Sequence, residues 1–166
     1  MTGVDAYWEK RMSDLWSVID DYDEPEFLSL VDELVAELPA GSAVGLFERG
    51  SAFDSTGHPD KAVALYKSAL DTGLEGERRR RAAIQMASSL RNLGHPQQAV
   101  DLLTAELDAA HDDLDGAVRA TLALALTDVG REREAVAVAV GALAEYLPRY
   151  NRSMARYAQA LVADGP

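Results

Sequence analysis

Three glycines, Gly57, Gly94 and Gly130, stand 37 and 36 residues apart (57 to 94 to 130), and each opens a near-copy of one short segment. The segments read Gly57-His58-Pro59-Asp60-Lys61-Ala62-Val63, Gly94-His95-Pro96-Gln97-Gln98-Ala99-Val100 and Gly130-Arg131-Glu132-Arg133-Glu134-Ala135-Val136. A fixed period of this length marks a repeat array, in which each unit buries its apolar face only by stacking on the next. Gly just past a helix takes the left-handed conformation that satisfies the last carbonyls. Pro59 and Pro96, two residues later, suit the first turn of a following helix, where no backbone N–H is needed. The Ala five residues after each Gly fits a close helix–helix contact. Each segment is therefore predicted to join two antiparallel helices.

The flanking patterns predict nine helices and no strand. The first helices of the repeats span about Ser42 to Thr56, Glu77 to Leu93 and Asp115 to Val129. The second helices span about Pro59 to Asp71, Pro96 to Ala110 and Glu132 to Leu147. Two helices precede them, near Val4 to Asp20 and Pro25 to Leu38, and one follows Pro148, from about Arg149 to Val162. The acidic run Asp20, Asp21, Asp23, Glu24 before Pro25 reads as a helix start, because carboxylates favour that end. The expected organisation is an N-terminal helical cap over 1–41, repeats over about 42–76, 77–114 and 115–148, and a C-terminal capping helix over 149–166. With 166 residues, all of this fits one domain.

Composition narrows the function. Hydrophobic residues make up 48% of the chain, enough for a packed core, and the absence of Cys removes disulfides, thiolate metal sites and Cys nucleophiles. A formal net charge of −12 repels a phosphate backbone, which argues against nucleic acid as a partner. Met1-Thr2-Gly3-Val4-Asp5 carries no basic and apolar leader, and the longest apolar run, near Ala135 to Ala144, is too short and too interrupted to span a membrane. A cytoplasmic protein with no membrane partner is expected. No phosphate loop, dinucleotide fingerprint or nucleophile elbow occurs. His111 beside Asp112, Asp113 and Asp115 lacks calcium-loop spacing, so no metal or cofactor is expected.

The repeats resemble the tetratricopeptide superfamily, whose signature places small and aromatic residues at set positions on two helices. Leu46, Gly50, Phe53, Ala62, Tyr66 and Ala69 carry the match in repeat one. Ala83, Met86, Ala87, Leu90, Ala99 and Leu103 carry it in repeat two, and Leu122, Ala123, Leu126, Ala135 and Ala142 in repeat three. Arg49, Glu106 and Ala139 depart from the pattern. The run from Phe47 to Tyr157 also resembles a family of short bacterial tetratricopeptide proteins, on stretches such as Leu65-Tyr66-Lys67-Ser68-Ala69-Leu70 and Ala87-Ser88-Ser89-Leu90-Arg91-Asn92-Leu93-Gly94. The resemblance implies an all-α, right-handed α-α superhelix with capping helices at both ends. It also implies a concave face lined by the first helix of each repeat.

On that face the resemblance places Phe47, Ser51 and Asp54, with Val44 and Ser55, in repeat one. Repeat two supplies Arg81, Gln85, Ser88, Arg91 and Asn92, with Ile84. Repeat three supplies Leu124 and Asp128, with Ala117, Ala120 and Thr127, and the last helix adds Tyr150 and Tyr157, with Arg152 and Arg156. Repeat two is unusual. Arg78, Arg79, Arg80 and Arg81 open its helix, where cations oppose the dipole at a cost of roughly 0.3–1 kcal/mol each. Two readings fit. The stripe from Arg78 through Arg81 to Arg91 receives an acidic peptide or a carboxylate terminus, since guanidinium forks pair well with carboxylate. Alternatively it is neutralised internally, by Asp54, Asp71, Glu75 or Glu77. The N-terminal helix, with Tyr7, Trp8, Met12, Leu15, Trp16 and Ile19, likewise reads as a cap on the first repeat or as a homodimer interface. The function expected is a non-catalytic scaffold binding a protein or peptide. The alternatives are a self-associating assembly subunit and, least favoured, an enzyme without a recognisable motif.

Overall fold

A computed structural model describes residues 4–109 and 111–163. Among the described residues there are nine α-helices and no strand. They are α1 (Ala6–Ser17), α2 (Glu24–Val35), α3 (Ala43–Ser55), α4 (Pro59–Asp71), α5 (Gly76–Asn92), α6 (Pro96–Ala109), α7 (Asp115–Asp128), α8 (Glu132–Ala144) and α9 (Asn151–Ala163), with a 3₁₀ turn at Ile19–Asp21 after α1. The expected end of α6 at Ala110 lies outside the described residues.

The three glycine turns are one structure repeated. Gly57, Gly94 and Gly130 take left-handed φ of 87°, 82° and 75°. In each, the amide of the next residue reaches back to a carbonyl inside the helix: His58 to Phe53 at 2.8 Å, His95 to Leu90 at 2.8 Å and Arg131 to Leu126 at 2.9 Å. The glycine amides bond three residues back, to Asp54, Arg91 and Thr127. This paired pattern closes a helix on its own last carbonyls and aims the chain into an antiparallel partner.

Two helices end earlier than their sequence patterns predict, for one reason. α2 stops at Val35 rather than Leu38, and α8 at Ala144 rather than Leu147. Both expected ends directly precede a proline, and a residue in that position is pushed out of helical backbone. The last turns tighten instead, with Leu38 N–H bonding Val35 at 3.0 Å and Tyr146 N–H bonding Leu143 at 3.0 Å. α9 begins at Asn151 rather than Arg149 because Tyr150 sits at φ 66°, a left-handed backbone that interrupts any helix.

The chain divides into two compact units, Met1–Ala82 and Ala83–Pro166, with the division falling inside α5. In the first unit α1 packs on α2, α2 on α3 and α3 on α4. Its core joins Trp8 and Met12 of α1 to Phe27, Val31 and Val35 of α2 and Ala52 of α3, with Leu15, Trp16 and Ile19 packed at the edge. α1 thus packs its apolar face on α2 and reaches α3 at Ala52. Trp8 and Met12 are buried, each worth roughly 1.5–3 kcal/mol by area. The Trp8 indole donates to the Leu34 carbonyl at 2.7 Å. Asp23 caps α2 by accepting from the Glu26 amide, as the acidic run predicts. In the second unit α6 packs on α7, α7 on α8 and α8 on α9.

Candidate functional site

In the first unit the predicted groove residues gather around Tyr66, which the sequence reading did not place among them. Tyr66 of α4 is fully buried, its ring 6.1 Å from that of Phe47. Its hydroxyl lies within hydrogen-bonding reach of Ser51 Oγ and Asp54 Oδ2, each at 3.4 Å. Burial pushes the Tyr66 phenol above its ordinary range, so it stays neutral. Gly50 is what lets the ring approach: a Cβ there would meet it at 3.0 Å. Phe47 and Ser51 are themselves buried. The expectation that these two line an open groove is therefore corrected, because the Tyr66 ring and hydroxyl occupy the space they face. The signal was present in the sequence, since Gly50 and Tyr66 both carry the repeat signature.

Arg78 is similarly engaged. Its Nη1 and Nη2 donate to the two carboxylate oxygens of Glu9 at 2.8 and 2.6 Å, and its Nε donates to Glu48 Oε1 at 2.8 Å. Glu48 is buried on α3 and accepts from the Trp16 indole at 2.9 Å through its other oxygen. Hydrogen bonding to Glu9, with Glu48 beside it, holds the guanidinium above its usual range and fixes its charge. One arginine thus ties α1 and α3 to the start of α5. Internal neutralisation holds for Arg78, but through Glu9 and Glu48 rather than the acids the sequence suggested. Asp71 and Glu75 are exposed. Arg81 is the more open cation, about 45% exposed, with Glu77 at 4.0 Å and the Phe47 ring centroid 5.3 Å from its guanidinium.

In the second unit the picture reverses. Arg91 Nε donates to Asp128 Oδ2 at 2.6 Å, tying the end of α5 to the end of α7. Gln85 and Ser88 are partly buried and Asn92 is exposed. Ala117, Ala120, Leu124, Thr127 and Asp128 are all exposed, while Val118, Leu122, Ala125 and Leu126 on the opposite side of α7 are buried. Leu124 is 54% exposed. Leu124 is thus the large apolar side chain on the outward stripe of this 14-residue helix. Tyr150 and Tyr157 are exposed on the α8–α9 connection and on α9.

The repeated glycine turns, the paired helices and the small residues buried at their contacts are the features of one family, and its profile, described as tetratricopeptide repeat, matches residues 43–161. The chain belongs to the tetratricopeptide repeat family. No curated protein and no solved structure is significantly similar to it. Tetratricopeptide arrays mediate protein–protein interactions and are generally scaffolds without catalysis, because stacked helices present extended surfaces rather than enclosed pockets. Among the described residues no helix is long and apolar enough to cross a membrane. Among them also, no three His, Asp or Glu side chains gather as a metal site. An apolar groove of about 570 Å³ runs between α8 and α9, bordered by Ala137, Gly141, Ala158 and Val162, and the sequence reading did not foresee it.

Proposed function

We propose that this tetratricopeptide array is a non-catalytic scaffold that takes a protein or peptide segment along the outward stripe of α7 and the adjoining end of α5. The observation that carries the reading is the exposure of Ala117, Ala120, Leu124, Thr127 and Asp128 along α7, on the helix position that repeat arrays use for recognition. Leu124 is the apolar anchor, and Asn92 and Asp128 supply polar contacts. Arg91 holds Asp128 as a resident partner and exchanges it for a carboxylate of the ligand, such as an acidic side chain or a chain terminus. Tyr157 and Tyr150 extend the surface with large rings that lose little entropy on binding.

Selection from a displayed random-peptide library tests this. Enriched peptides are expected to share an apolar residue near an acidic one, and to lose binding by roughly tenfold or more on Leu124→Glu. Arg91→Gln is expected to weaken only those that carry the acid. Peptides that bind Leu124→Glu as well as wild type would rule out the α7 stripe.

A further inference from the structure

The second helices of the three repeats superimpose by sequence on their glycine turns, so α4, α6 and α8 can be compared position by position. Three apolar positions recur: Val63, Tyr66 and Leu70 on α4, Val100, Leu103 and Leu107 on α6, and Val136, Ala139 and Leu143 on α8. In α4 and α6 every one of them is at least partly covered, with Val100 at 4% and Leu103 at 0% exposure. In α8 all three are open, Val136 at 50% and Leu143 at 57%.

The reason is where α9 lies. The positions that stay exposed on α6, Asp101 and Asp108, correspond to Ala137 and Ala144, which are buried on α8. α9 packs on this other side, with a Cβ at Gly141 reaching Ala158 at 3.9 Å and Arg133 Nε donating to the Leu161 carbonyl at 2.6 Å. Pro148 and the left-handed Tyr150 lie in the turn that leads from α8 into α9. The last repeat therefore keeps open a stripe whose counterparts in repeats one and two are covered.

Glu132, Val136, Ala139 and Leu143 follow one another at steps of four, three and four, the spacing of a two-helix seam. All four are exposed. Ala139 at the centre allows close approach. When α8 is paired antiparallel with itself about a two-fold axis, Val136 faces Leu143 of the second copy. Glu132 then comes to the other copy's Tyr146–Arg149 end. Neither Glu132 nor Arg149 has an ion-pair partner among the described residues, so the two ends of the pair match in charge, twice by symmetry. Antiparallel helix dipoles add to this.

We infer that α8 is a self-association surface, and that its occupant is α8 of a second copy of this chain. This surface lies on a different helix from the α7 peptide site. One pair of 13-residue helices is a small interface, so the dimer is weak and dynamic.

Sedimentation equilibrium over a wide concentration range tests the inference. Wild type is expected to show a monomer–dimer equilibrium that weakens at high salt. Val136→Glu with Leu143→Glu is expected to weaken it by roughly tenfold or more, with unchanged helicity because both side chains are exposed. Glu132→Arg and Arg149→Glu each place like charges across the pair and weaken the dimer alone. An equimolar mixture of the two restores both ion pairs and recovers association, which a folding defect would not do. Leu124→Glu leaves the dimer intact. Wild type that stays monomeric at every concentration overturns the inference. So does a dimer that survives Val136→Glu with Leu143→Glu, or single charge variants that the mixture does not rescue.

Discussion

Glu48 illustrates how one side chain converts a cost into structure. A carboxylate left 3% exposed is unfavourable unless its oxygens are filled, and here Arg78 and Trp16 fill them. Arg78 in turn keeps Glu9, so it is never an isolated buried charge. Glu48→Ala removes two charge-assisted hydrogen bonds and leaves the Trp16 indole without an acceptor. The expected loss is about 3 kcal/mol in urea unfolding. In a double-mutant cycle Arg78→Ala is expected to be clearly non-additive with it, because the two share one network. Additive losses would mean that Arg78 acts mainly through Glu9. The same network accounts for the first of the four arginines at the start of α5. Their position against the helix dipole costs stability locally, and at Arg78 that cost is offset by two carboxylates supplied from α1 and α3.

The helices owe their ends to turn chemistry and their pairing to the repeat. Gly94 joins α5 to α6 at φ 82°, with nothing within 4 Å of where a Cβ would stand. A side chain there meets no steric wall, so the effect of Gly94→Ala isolates the backbone term. It is expected to cost about 1–2 kcal/mol, read as a lowered melting temperature with unchanged helicity. Gly94→Asn should cost less, since Asn tolerates the left-handed region. Equal losses for the two variants would show that the turn's two hydrogen bonds, rather than its φ, set the cost. The contrast between α6 and α8 belongs here as well. The two helices have almost the same register, yet Val100 and Leu103 are covered on α6 where Val136 and Ala139 are open on α8, which instead buries Ala137 and Ala144.

For the molecule as one charged body, the balance of −12 dominates. Exposed pairs such as Lys10–Asp14 and Arg131–Glu134 contribute roughly 0–1 kcal/mol each and are screened by salt. Self-repulsion of the excess carboxylates is screened too, and acts on every one of them. Moderate salt at neutral pH is therefore expected to raise the melting temperature of a dilute, monomeric sample. A fall would show that the surface pairs outweigh the repulsion. In concentrated samples the melting temperature should also climb with protein concentration, as association by α8 requires. This dependence should vanish in Val136→Glu with Leu143→Glu.

Local chemistry explains how much could be read in advance. Gly57, Gly94 and Gly130, the prolines at the helix starts and the alanine spacing act over a handful of neighbouring residues, so the three helix pairs and their antiparallel joins follow from the chain alone. That the apolar face of α1 is covered was legible, but its contacts with Phe27 and Val31 were not, because an amphipathic face says that it will be covered and not by what. The partners of Arg78 were beyond reach, since Glu9 lies 69 residues away and nothing local distinguishes it from the other exposed acids. Phe47 and Ser51 looked like groove residues because helical spacing assigns a direction and cannot see Tyr66 arriving from the next helix. The exposed side of α8 depends on which way a single turn at Tyr150 sends α9. Patterns of 3.6 residues define which faces of a helix are apolar, while long-range packing selects which of those faces is covered.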